Sequence, residues 1–251
     1  MQHVALLVIA KEPLPGAAKT RLCPPCSPEQ AATLAQAALL DTLAAVALTP
    51  ARRRVLVFEG DARCWRPDGF EVIPQRGVGL GERLAAAFED VGESALIVGM
   101  DTPQLTPQLL LEGLDALARP DVDAVLGRAL DGGYWSVGLE AGCVDVFDGV
   151  PMSCAATWSS QRERMLALGL RVHDQAPLRD FDTIADARAV ALQAPGSRFA
   201  RAFGSLGVGV AIGVGLGVEV GVGAEVGVDV GRSTPASPDE RRRPVSAGAG
   251  R

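Results

Sequence analysis

The two lysines of this chain, Lys11 and Lys19, fall in one short stretch, Lys11-Glu12-Pro13-Leu14-Pro15-Gly16-Ala17-Ala18-Lys19-Thr20-Arg21-Leu22, although the sequence has 24 basic residues. The other 22 are arginines, so this stretch concentrates compact ammonium charges beside the Arg21 guanidinium. An ammonium meets phosphate as a point charge, whereas a guanidinium grips it with paired hydrogen bonds. Gly16, with the small Ala17 and Ala18, lets backbone N–H groups approach a polyphosphate closely. Lys11, Gly16, Lys19, Thr20 and Arg21 are therefore the expected contacts of a polyphosphate. The plainer alternative is a solvated basic loop. Neither Gly-x4-Gly-Lys-Ser/Thr nor Gly-x-Gly-x2-Gly occurs in it, which excludes a P-loop or a dinucleotide fingerprint there.

Acids supply the other half of the chemistry. Asp101 stands just past the apolar run Ala95–Gly99, with Pro103 turning the chain, so a carboxylate there can face a cleft. A divalent cation, Mg2+ or Mn2+, would bridge Asp101 and the donor phosphates, and Asp182 in Asp180-Phe181-Asp182-Thr183 is the expected second ligand. Asp101 thereby joins Lys19 and Arg21 as an expected catalytic residue. Asp131-Gly132-Gly133-Tyr134 holds the only tyrosine, and its glycines permit close approach of a ligand, so it is expected to shape the acceptor side. Capping and turn formation are the ordinary explanations for the same acids.

These residues need elements to position them. Val4–Ala10 is an apolar run that breaks into the lysine loop, and Ser27-Pro28-Glu29 has the form of a helix start leading into an Ala/Leu-rich helix to Val46. Arg54–Phe58, Glu71–Pro74, Ala95–Gly99, Ala124–Leu126, Trp135–Leu139 and Leu170–His173 read as strands. Helices are expected over Leu80–Asp90, Thr106–Leu117, Gln161–Leu168 and Thr183–Leu192, and Asp180 and Asp182 are expected on one side of a short strand. Strands alternating with helices predict an α/β domain with a mostly parallel central sheet covered on both faces. Ligands of such sheets bind beyond the carboxyl ends of the strands, where the loops after Ala10, Gly99 and Gly127 would meet.

Composition sets the outer limits. The chain has 251 residues, 48% of them hydrophobic, and a net charge of −6. That apolar content can bury a core, and the acidic balance argues against nucleic acid as a partner. Residues 204–231 contain 10 Gly and 9 Val interrupted by Glu219, Glu225 and Asp229, which is unsuited to a membrane span. Residues 1–203 are thus expected to form the domain and 204–251 a low-complexity, mostly disordered tail. Met1–Ala10 lacks the pattern of a secretory signal, and a cytoplasmic location is expected. Cys23-Pro24-Pro25-Cys26 has no second pair to complete a zinc site, and His3 and His173 are too few for a histidine triad.

As a set, Ala10–Leu22, Gly79-Leu80-Gly81-Glu82-Arg83-Leu84, Gly99-Met100-Asp101-Thr102-Pro103, Leu126–Tyr134 and Asp180–Thr183 make the chain similar to the bacterial radical-SAM/selenodomain-associated transferase 1 family. The resemblance covers roughly residues 4–193. It implies a GT-A, or nucleotide-diphospho-sugar transferase, fold and distant kinship with 2-phospho-lactate guanylyltransferase. Arg128 and Met152-Ser153 depart from the family's usual Pro and Trp-Ser, both on the acceptor side. The expectation is a Mg2+- or Mn2+-dependent transferase taking a glycosyl group from a nucleotide sugar to a small-molecule acceptor, with Lys11, Gly16, Lys19, Thr20 and Arg21 on the nucleotide and Lys19 and Arg21 neutralising the diphosphate leaving group. Nucleotidyl transfer to a phosphorylated small acid is the first alternative, and a non-catalytic nucleotide-binding module the second.

Overall fold

The computed structural model describes residues 4–207. Seven strands form one sheet in the order β3-β2-β1-β4-β6-β5-β7, with β1 Ala5–Lys11, β2 Arg54–Glu59, β3 Glu71–Pro74, β4 Ala95–Val98, β5 Ala124–Ala129, β6 Tyr134–Leu139 and β7 Val172–Leu178. All neighbouring pairs are parallel except those of β6, which runs against both β4 and β5. This is the α/β, mostly parallel architecture expected from the sequence. The reversed strand brings Tyr134, at its start, to the rim where the other strands end.

The helices are α1 Pro28–Leu48, α2 Leu80–Val91, α3 Pro107–Leu117, α4 Thr157–Ala167, α5 Ile184–Gln193 and α6 Arg198–Ser205. On one face of the sheet Leu6, Val8, Leu56, Leu96 and Val98 pack with Leu39 and Leu43 of α1 and Leu110 and Leu114 of α3. On the other, Leu7, Val57, Ile97 and Val137 pack with Leu84 and Phe88 of α2 and Met165 of α4. The alternation of inward side chains along each strand thus serves both faces, which is why the strands read as unbroken apolar runs.

α1 is apolar on more than one side, and by length and composition alone it could cross a membrane. Here it is a core helix. Its Leu39 face meets the sheet, while Leu34 and Ala38 meet Leu22, Phe181 and Phe199 in a third cluster with α5 and α6. Phe181 and Phe199 are fully buried, with ring centroids 4.5 Å apart. A pair of this kind adds roughly 0.5–1.5 kcal/mol to the area it buries.

Several local signals act as expected. Ser27 caps α1 by accepting from the Gln30 N–H while the Gln30 side chain accepts from the Ser27 N–H. Thr106 caps α3 ahead of Pro107, and Thr183 caps α5 together with Asp186.

Three expectations are corrected. Asp180–Thr183 is not on a strand but spans the irregular gap between β7 and α5, where Phe181 N–H donates to Asp101 O at 3.3 Å. β7 extends to Leu178 because it pairs with β5 past a register shift at Gly127–Ala129, beyond the apolar stretch that marks it in the sequence. A sixth helix, capped by Ser197 and anchored by Phe199 and Phe203, carries the chain past residue 203 to Ser205. The remainder of the expected tail, 208–251, lies outside the described residues.

Candidate active site

The carboxyl ends of β1, β4 and β5, together with the start of β6, open into one cleft of about 850 Å³. Lys11, Lys19, Thr20, Arg21, Asp101, Asp131, Gly133, Tyr134, Asp180 and Asp182 all line it. The lysine loop and Asp101 thus share one concavity, although Asp182 follows Lys19 by 163 positions in the chain. Gly16, which is exposed, and Gly132, which is buried, do not line it. Gly16 provides a left-handed turn (φ +76°) in the first loop with open space beside it.

Lys19 is the centre of the arrangement. Its backbone is itself left-handed, at φ 49° and ψ 43°. Its ammonium lies 3.0 Å from Asp101 Oδ2 and 2.8 Å from Asp182 Oδ1, and 4.3 Å above the centre of the Phe181 ring. Only 8% of the side chain is exposed. Burial works against the charge, but the two carboxylates outweigh it and hold the Lys19 pKa above its ordinary value. Arg21, which is largely exposed, donates to the other oxygen, Asp182 Oδ2, at 2.8 Å. Burial pushes the Asp182 carboxyl up, and Lys19 and Arg21 more than reverse this, leaving it below the usual range. Lys11, by contrast, is exposed and donates to Ala17 O at 2.9 Å, which closes the first loop on itself.

Asp182, the second cation ligand expected beside Asp101, also belongs to a group of three acids. Carboxylate oxygens of Asp131, Asp180 and Asp182 lie within 4.8 Å of one another, whereas Asp101 shares the Lys19 ammonium with Asp182. Burial, then the charges of Asp131 and Asp182, push the Asp180 carboxyl up to about 6. Three carboxylates converging at such a spacing, one of them destabilised by its neighbours, suit a hard divalent cation with oxygen ligands. The sequence places Asp180 beside Asp182 but gives no sign that Asp131, from a different turn, closes the set.

The turn that carries Asp131 is tightly fixed. Asp131 Oδ1 accepts from the Gly133 N–H at 2.8 Å, and Gly132 O accepts from the Trp158 N–H at 2.8 Å. Gly132 adopts φ +98°, and a Cβ there would stand 2.2 Å from Ala155 O. The Asp131 turn is therefore pressed onto the Ser153–Ala155 segment, which lines the same cleft. Tyr134 is mostly buried, with its hydroxyl near Gln161 Oε1 at 3.4 Å, and burial alone pushes its pKa up. It stays neutral and acts as a wall and a hydroxyl donor.

One group escaped the sequence reading. Arg83 of α2 pairs with Glu59 at the end of β2 and donates to Gln75 Oε1 at 3.1 Å, while Gln75 Nε2 donates to Ala10 O at 2.8 Å. All three line the far end of the cleft. Arg83 lies in the Gly79–Leu84 motif, so the signal was present but carried no role.

Comparison with known proteins bears on the fold. Residues 32–154 match one family model. Its description is "Uncharacterized protein conserved in bacteria (DUF2064)", and the match runs from α1 to the loop before α4. No curated protein matches the chain. Among solved structures, a "putative nucleotide-diphospho-sugar transferase" from Desulfovibrio desulfuricans G20 is similar with 29% identity and a TM-score of 0.72, over 82% of this chain and 94% of that one. CMP:2-keto-3-deoxy-manno-octonic acid synthetase complexed with CTP is similar in fold at 12% identity and TM-score 0.50, covering 76% and 99% of the two chains. A cytidylyltransferase from Leptospira borgpetersenii also shares the fold at 12% identity and TM-score 0.50, covering 82% and 94%. The chain therefore has a nucleotide-diphospho-sugar transferase-like fold.

Proposed function

We propose that this protein is a divalent-cation-dependent transferase that takes a glycosyl group from a nucleotide sugar to a small-molecule acceptor. The observation that carries the reading is the meeting, in one cleft, of the Asp131–Asp180–Asp182 carboxylates with Lys19 and Arg21 on the last of them. The similarity to the Desulfovibrio protein, whose name reads "putative nucleotide-diphospho-sugar transferase", supports the choice of donor.

Asp131, Asp180 and Asp182 would hold Mg2+ or Mn2+, which when bound supplies Lewis-acid charge to the phosphate oxygens of the donor. Lys19 and Arg21, which meet on Asp182, would present an ammonium and a guanidinium where negative charge grows on the leaving diphosphate. Asp101 and the Phe181 ring hold Lys19 at the wall of the cleft. Lys11 closes the first loop and keeps Lys19 and Arg21 in register. The Asp131–Tyr134 turn and the Ser153–Ala155 segment form the acceptor side, with Tyr134 keeping its proton.

The test is titration calorimetry of nucleoside diphosphates with Mn2+, followed by a screen of nucleotide sugars for release of the diphosphate. Wild type should bind only with the cation, and Asp182→Asn should lose binding by roughly a hundredfold, the loss typical of a ligand or its support. Equal nucleotide binding by wild type and Asp182→Asn, with no turnover of any donor, would identify a non-catalytic module instead. Pyrophosphate release from a nucleoside triphosphate with a phosphorylated acid would identify nucleotidyl transfer.

A further inference from the structure

The cleft is lined by five acids, Glu59, Asp101, Asp131, Asp180 and Asp182, against four bases, Lys11, Lys19, Arg21 and Arg83. Arg83 is spent on Glu59, and both Lys19 and Arg21 on Asp182. Before any cation enters, the ammonium of Lys19 and the guanidinium of Arg21 are thus already paired with an acid. Asp182 is moreover claimed twice. Its Oδ1 accepts from Lys19 at 2.8 Å, and the same carboxylate belongs to the three that converge for a metal.

We propose that the Lys19 ammonium is a resident counter-ion that a divalent cation displaces from Asp182, so that metal loading arms the first loop for phosphate. The inference rests on the metal site of the functional reading above. A second positive charge arriving on Asp182 repels an ammonium within bonding distance of it, and the low-dielectric surroundings of a side chain only 8% exposed sharpen that repulsion. Lys19 does not lose all support when it leaves Asp182. Asp101, 3.0 Å away, keeps hold of it, and the Phe181 ring lies beneath it. Asp101 thereby acts as the anchor of a mobile cation. A donor phosphate then meets a free ammonium only in the loaded protein, and order of addition follows: metal first, nucleotide second.

The chain's scarcity of lysine makes the exchange measurable without mutation. In the full-length wild-type protein, competitive acetylation read by peptide mass spectrometry compares Lys19 with exposed Lys11 as an internal reference. Lys19 should react far more slowly than Lys11 in a chelator, and the Lys19/Lys11 ratio should rise severalfold at saturating Mg2+. Titration with Mn2+ alone, followed by electron paramagnetic resonance, gives the second arm. Lys19→Met should bind Mn2+ about tenfold more tightly than wild type, since a competing charge is gone, and should bind a nucleoside diphosphate with Mn2+ more weakly. A merely structural lysine would give the opposite sign for the metal. A Lys19/Lys11 ratio unmoved by Mg2+, or Mn2+ binding in Lys19→Met no tighter than in wild type, overturns the exchange. If Asp180→Asn still weakens Mn2+ in that case, the functional reading stands without it. If wild type binds no Mn2+ at all, both fall.

Discussion

Two glycines with left-handed backbones give a controlled test of how the Asp131 turn is held. Gly16 (φ +76°) has nothing within 4 Å of the position a Cβ would take, whereas at Gly132 (φ +98°) that position lies 2.2 Å from Ala155 O and 2.6 Å from both Ala155 C and Ala155 Cα. Alanine at either site carries the backbone penalty of a positive φ, about 1–2 kcal/mol. Only at Gly132 does it also drive a methyl group into main chain that cannot rotate away, adding about 1–3 kcal/mol for overpacking. Gly16→Ala should therefore cost about 1–2 kcal/mol and Gly132→Ala about 2–5 kcal/mol. In a domain of this size the second corresponds to a fall in Tm of about 10 °C. Urea unfolding followed by tryptophan fluorescence suits the comparison, because Trp158 donates its backbone N–H to Gly132 O and reports on the turn. Because Asp131 rides on the same turn, Gly132→Ala should also weaken Mn2+ binding. Equal destabilisation by the two alanines would refute the close-packed account of the turn.

Other outcomes follow from the same structure. Asp180→Asn should reduce Mn2+ affinity by at least about tenfold in calorimetry, as loss of one carboxylate from three does, without lowering the Tm of the metal-free protein. Asp123, whose carboxyl is pulled down to about 2 chiefly by hydrogen bonds from Arg171, stabilises the fold above the ordinary carboxylate pKa and stops doing so as pH falls through about 2. Asp123→Asn should therefore cost about 1 kcal/mol at pH 7, a figure reduced for the solvent exposure of Arg171, and the gap from wild type in urea melts should close between about pH 4 and pH 2. Gln161 is fully buried and donates to Val146 O at 2.7 Å, so Gln161→Leu should cost about 1–3 kcal/mol in the same assay by orphaning that carbonyl.

The parts of this molecule legible in its sequence are those set by neighbours along the chain. The caps at Ser27, Thr106 and Thr183 act within three residues, and β4 is a short apolar run with turns at both ends, so each could be read directly. Lys19 and Arg21 could be singled out by rarity and crowding and Asp182 as an acid, but not their pairing, because it depends on Phe181 of the β7–α5 gap and Phe199 of α6 packing against α1. The same holds for the cation set. Asp131 reads as a turn acid and Asp180 as part of a capping segment until the β5–β6 turn and the β7–α5 gap are brought to one rim. α6 was invisible beside the glycine-rich residues that follow it, its apolar contribution resting chiefly on Phe199 and Phe203.

The reversed course of β6 has a consequence for how such a molecule can diversify. Its turn with β5 is a finger that enters the cleft from the half of the sheet opposite the lysine loop, tied to its surroundings through Ala155, Trp158 and Leu178. Exchange of the fingertip beyond Asp131, with the short stretch it leans on, would reshape that side of the cleft while Lys19, Arg21 and the three clustered acids stay in place.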